Sequence, residues 1–245
     1  MIVITKTSSW QIGALLCATA ALAQVSANAA IFVDDFHGSA LDLSRWSILD
    51  GTPGINVAGD ILALSGGPDH KRIESIATFT PGALGVLATA KINLGGDYQK
   101  FGFALSGPGV AFYFDTFDNR FGENTNTIRT QAYSYPTNSY LFDASVPVSW
   151  GSFHELSVEW LPTNIRFLID GAVAAEFVYL TTTENLPVEI WNDRTPLMQT
   201  DFVRVSAIPL PSTMWLMLAG IATLLGTKRT KSLLRAQGAH QCAPT

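Results

Sequence analysis

Residues 154–171 constrain the fold of this chain more than any other stretch. His154, Leu156, Val158 and Trp160 alternate with Glu155, Ser157 and Glu159, the two-residue period of a strand with one covered and one wet face. Leu161-Pro-Thr-Asn164 turns the chain, Ile165, Phe167 and Ile169 alternate with Arg166, Leu168 and Asp170, and Asp170-Gly171 makes the next tight turn. The same texture runs through the middle of the chain. Ile61-Leu-Ala-Leu64 stops at Ser-Gly-Gly-Pro-Asp, Leu84 to Ile92 at Asn-Leu-Gly-Gly-Asp, and Phe101 to Leu105 at Ser-Gly-Pro-Gly, with Val110 to Phe114 following. No window of comparable length carries a 3.6-residue period. The pattern predicts an all-β sandwich of about a dozen antiparallel strands in two sheets.

Both ends of the chain are different material. One early Lys, an uncharged stretch from Trp10 to Ala23 and an Ala27-Asn28-Ala29 exit describe a secretory signal peptide over residues 1–29. Cleavage is expected after Ala29, with Ala27 as the other option. Between Arg204 and Lys228 lie 23 positions without an ionisable side chain, the most apolar being Met214 to Leu225. About 20 residues span a bilayer, so a transmembrane helix is expected within 208–235, its start in the interface. Lys228, Arg229, Lys231 and Arg235 follow and should remain cytoplasmic, before a polar tail over 236–245.

One domain remains, residues 30–207. Cys17 and Cys242 both fall outside it, which excludes disulfides, thiolate catalysis and cysteine-ligated metals within it. The whole chain has a formal charge of −5, but all 20 acidic residues lie in the domain beside only ten of the 15 basic ones, so the domain carries −10. That balance argues against nucleic acid, and against anionic polysaccharide unless a cation bridges the two.

The end segment resembles a known sorting signal. Pro209-Leu210-Pro211, the apolar stretch Met214 to Leu225 and the basic cluster Lys228-Arg229-Thr-Lys231 are similar to the PEP-CTERM signal of Gram-negative bacteria. The resemblance implies an exosortase-type processing enzyme, a membrane-anchored intermediate and delivery to the cell surface or extracellular matrix. Leu210 stands where that family's name-giving Glu would be, and the tail after Ser232 is longer than usual.

A second resemblance concerns the domain. Asp35 to Trp46, the Trp150 to Trp160 strand with its Asn164 to Gly171 return, and Thr200 to Val205 are similar to segments of concanavalin A-like lectin/glucanase domains, most of all family-16 glycoside hydrolases. This implies a jelly-roll sandwich whose concave sheet binds carbohydrate. The enzymes of that family carry Glu-x-Asp-x-x-Glu on one strand, which supplies the two carboxylates of retaining hydrolysis. Aligned on Asp115, this chain has Tyr113 at the nucleophile position and Asp118 at the acid/base position, so the motif is not intact. Asp115 and Asp118 are the weak catalytic candidates; Asp118-Asn119-Arg120 reads more readily as a turn.

Ligand contact is expected instead from Tyr113, Tyr133, Tyr135 and Tyr140, and from Trp191 and Asn192 in Trp191-Asn192-Asp193-Arg194. Aromatic rings beside polar groups suit a sugar face. No cofactor is required. The resemblance implies a structural calcium between the opening segment and the last strand, with Asp201 as its carboxylate ligand. The histidines lack zinc-ligand spacing. The expectation is an exported lectin-like protein that binds polysaccharide without catalysis; a divergent β-glucan hydrolase and a purely structural matrix protein are the alternatives.

Overall fold

The computed structural model describes residues 30–51, 53–65, 70–82, 84–93, 101–116, 127–149, 151–180, 184–193 and 197–208. Among these residues there are fifteen strands: β1 (Ala30–Asp34), β2 (Trp46–Asp50), β3 (Ile55–Ala58), β4 (Ile61–Leu64), β5 (Lys71–Phe79), β6 (Val86–Asn93), β7 (Phe101–Ser106), β8 (Val110–Thr116), β9 (Thr127–Ser134), β10 (Ser139–Pro147), β11 (Phe153–Trp160), β12 (Asn164–Ile169), β13 (Ala172–Val178), β14 (Leu186–Asn192) and β15 (Met198–Ala207). All belong to one compact unit, Asn28–Ile208. The signal peptide over 1–29, the sorting residues Pro209, Leu210, Pro211, Lys228, Arg229 and Lys231, and Asp118 lie outside the described residues.

The all-β expectation holds, with fifteen strands where about a dozen were expected. Several of the additional ones, such as β2 and β13, are half-exposed, so their apolar signal is weak. The 154–171 hairpin forms in the register its alternation requires, with Leu156 opposite Ile169 and Trp160 opposite Ile165. Leu156, Val158, Trp160, Ile165 and Phe167 are fully buried. Asp170 and Gly171 both take positive φ (51° and 77°), the backbone a two-residue hairpin turn demands.

Two antiparallel sheets stack face to face. One runs β13-β12-β11-β6-β15-β4-β3, with β1 added alongside β15, and the other runs β10-β9-β8-β7-β14-β5-β2. The space between them is filled largely by aromatic rings: Trp46, Trp160, Phe101, Phe103, Phe112, Phe114 and Phe167 are all sealed from water. Each such ring contributes about 1.5–3 kcal/mol of burial, which compensates for the absence of disulfides in the domain. On the β10/β13 side, Phe142 and Phe177 stack at 4.9 Å with planes 6° apart and close the sandwich.

In the second sheet, β7 is buried at all six positions. Phe101, Phe103 and Leu105 face the core, while Gly102, Ala104 and Ser106 face the opposite, concave side. A strand whose outward face is also covered has something lying on it.

Candidate functional site

What lies on the concave face is a set of aromatic and charged side chains around a cleft of about 520 Å³. Its floor is small-residue backbone: Ala104 and Ser106 of β7 with Ala111 of β8. Alternation along β8 sends Phe112 and Phe114 to the core and Tyr113 and Asp115 to the cleft. Alternation along β14 sends Val188, Ile190 and Asn192 inward and Glu189, Trp191 and Asp193 to the cleft.

Trp191 sits opposite Gly102 in the ladder. Its indole lies across that glycine, where a Cβ would come within 1.7 Å of Cζ2, and its edge meets Tyr113 at 5.9 Å and 63°. A second aromatic group stands at the other end of the cleft. Tyr133 is in edge contact with both Tyr135 and Tyr140 at 5.2 Å, and its hydroxyl donates to Asn138 Oδ1. Tyr135 and Tyr140 remain about half exposed.

Two pairs of polar groups face each other across the cleft wall. Glu189, 6% exposed, faces Arg72 of β5, with Arg72 Nε 2.7 Å from Oε1 and Nη2 donating to Oε2 at 2.8 Å. Burial opposes the charge on Arg72, but Glu189 beside it outweighs this and pushes its pKa up. His70 Nδ1 meets the Asp193 carboxylate at 2.5 Å. Burial raises the Tyr113 phenol far above the usual tyrosine value, and the neighbouring Tyr140 and Asp115 raise it further.

Five of the six residues expected to contact a ligand, Tyr113, Tyr133, Tyr135, Tyr140 and Trp191, line this one cleft together with Asp115. Asn192 does not. It is fully buried on the core side of β14, and its Nδ2 donates to the Leu64 carbonyl at 2.8 Å, a bond between the two sheets. The period of two that turns Trp191 into the cleft turns Asn192 away from it. Asp50, His70, Arg72 and Glu189 complete the cleft wall; of these only Glu189, a lone charge in the apolar run 186–191, carries a signal in the sequence.

The calcium expectation meets a different arrangement. Asp201 is held by Lys91 Nζ at 2.5 Å, and Asp35 of the opening segment is turned to Arg204 at 3.7 Å. Among the described residues no group of three or more His, Cys, Asp or Glu could hold a metal ion. In this arrangement Lys91 balances the charge of Asp201.

Comparison with solved structures decides the architecture. The fold is the concanavalin A-like jelly roll. The chain is similar to an endo-β-1,3-glucanase from Pyrococcus furiosus (TM-score 0.61, 15% identity, 74% of this chain and 95% of that one). It is also similar to a family-16 glycosyl hydrolase from Mycobacterium smegmatis (0.58, 13%, 72% and 100%). A β-1,3-glucanase from Mycobacterium marinum aligns over 73% of this chain and 99% of that one, at 18% identity and a TM-score of 0.56. No family model and no curated protein matches the sequence.

Proposed function

We infer that this is a non-catalytic, lectin-like protein that binds polysaccharide in the concave cleft. The observation that carries this reading is the aromatic lining: an indole laid flat over Gly102 and a separate tyrosine group, with polar side chains between. Sugar rings dock their C–H faces on such surfaces and take hydrogen bonds from the flanking groups. The glucanase fold of the neighbours supports a glycan ligand. Two observations weigh against hydrolysis. The position of the family's nucleophile holds Tyr113, and Glu189 and Asp193 are engaged by Arg72 and His70. A glycosidase needs one carboxylate able to attack or assist and a second able to donate a proton.

The end segments extend the proposal. The protein is exported by its signal peptide, held at the inner membrane by its apolar C-terminal segment, processed by an exosortase-type enzyme and delivered to the surface or matrix. The acidic domain favours neutral over anionic polymers.

Calorimetric titration with laminarin-, cellulose- and chitin-derived oligosaccharides, beside a reducing-sugar assay, tests this. Binding without release of reducing ends, weakened by Trp191→Ala, is the expected result. Hydrolysis that Asp115→Asn abolishes overturns the non-catalytic reading, and failure to bind any glycan overturns the lectin reading.

A further inference from the structure

Among the described residues, the Gln131 side chain on the concave face has no hydrogen-bond partner. Gln131 of β9 is 1% exposed, and neither its Oε1 nor its Nε2 is bonded. An unsatisfied buried amide costs about 1–3 kcal/mol, and native structures hold few of them. Three of the groups around it are already occupied. In the ladder Gln131 lies between Tyr113 of β8 and Asp143 of β10, with Arg129 and Tyr133 on either side of it along its own face. Asp143 is taken by Arg129, whose Nε donates to it at 3.0 Å; the Tyr133 hydroxyl is taken by Asn138; the Tyr113 phenol is turned to Tyr140.

The cover over this amide can be located from the same contacts. The Tyr140 ring lies 5.2 Å from the Tyr133 ring and 5.9 Å from the Arg129 guanidinium. Arg129, Gln131 and Tyr133 are consecutive residues on one face of β9, so a ring close to both outer members is placed to lie over the middle one. Tyr140 is 54% exposed and sits beside a register irregularity of β10. Rotation about its χ1 would uncover Gln131 without disturbing any core residue.

We propose that Tyr140 is a lid over a sugar subsite in which the Gln131 amide is the recognition group. This rests on the glycan-binding reading and adds to it a residue and a ligand chemistry. The amide offers a donor NH2 and an acceptor oxygen a short distance apart. Its complement is a donor–acceptor pair on adjacent carbons of a neutral sugar ring: two neighbouring hydroxyls of a hexose, or a hydroxyl next to an acetamido N–H. Either pair satisfies both amide atoms once the lid has opened. A carboxylate or sulfate has no proton for Oε1 and would face the Asp115 carboxylate of the same cleft.

Titration of the full chain with laminari-oligosaccharides, chitin oligosaccharides and oligogalacturonate, repeated on Gln131→Leu and Tyr140→Phe, tests this. Gln131→Leu should weaken neutral-sugar binding at least about tenfold while the thermal midpoint stays equal or rises, because the substitution deletes an orphaned amide. The glucose and N-acetylglucosamine arms show which pair is read, and the galacturonate arm should stay blank. Tyr140→Phe keeps the ring but loses the hydroxyl turned to Tyr113, so binding should tighten about two- to tenfold. Unchanged affinity in Gln131→Leu, or weaker binding in Tyr140→Phe, overturns the subsite while leaving the lectin reading intact. A wild-type chain that binds no sugar overturns both.

Discussion

The seating of Trp191 on Gly102 can be tested by a single methyl group. In Gly102→Ala the new Cβ would stand 1.7 Å from Cζ2 of the indole and 2.1 Å from Cε2 and Cη2, so the ring has to leave. The backbone itself favours the change: alanine in a strand interior is better than glycine by about 0.5–1 kcal/mol. Against this stand overpacking, about 1–3 kcal/mol, and loss of the edge contact with Tyr113, about 0.5–1.5 kcal/mol. The net expectation is destabilisation by about 1–3 kcal/mol. In a Trp191→Ala background the obstacle is gone, and the same substitution should stabilise by about 0.5–1 kcal/mol. The double-mutant cycle therefore predicts a coupling of about 1.5–4 kcal/mol between positions 102 and 191. Urea unfolding followed by far-ultraviolet circular dichroism, which does not depend on the deleted indole, measures all four proteins. Equal destabilisation by Gly102→Ala in both backgrounds would refute the flat seating of the ring, and with it the sugar platform.

Two further outcomes follow from the charged pairs. Glu189→Gln removes the counter-charge from Arg72 and should lower unfolding free energy by about 1–2 kcal/mol in urea titration. That is less than the loss for a fully buried pair, because Arg72 keeps part of its hydration. The Asp170 carboxyl is pushed up by partial burial, but hydrogen bonds from His154 and the Glu155 amide outweigh this and hold its pKa below the ordinary value. Its contribution is thus present above the ordinary aspartate pKa and is lost as pH falls through the lowered one. In Asp170→Asn the acid limb of the thermal midpoint between about pH 4 and pH 2 should be shallower than in wild type.

Much of this molecule was legible from period alone. Leu156, Val158 and Trp160 announce a strand and its buried face without reference to any other residue. Tyr133, Tyr135 and Tyr140 stand out because large rings in a polar stretch have few ordinary uses. Asn192 follows Trp191 in the sequence but not into the cleft, because β14 continues through it and strand alternation sets its direction. The Arg72–Glu189 pair was out of reach for another reason: its members are 117 residues apart, and nothing local says that β5 and β14 are neighbours. Gln131 is the extreme case, since an orphaned amide is defined only by what every surrounding group is already doing.

The placement of β15 has a mechanical consequence. It is the longest strand described, ten residues, and it is flanked by β6 on one edge and by β1 and β4 on the other. Because Ala30 lies opposite Ser206, the sandwich starts and finishes at one spot. A pull transmitted along the chain beyond Ile208 therefore enters the fold through an interior strand. To yield, β15 must slide lengthwise against both neighbouring edges, so its ladder bonds are loaded together in shear and cannot be peeled one by one. A domain gripping a polymer and tethered by that end would resist tension along its strongest axis.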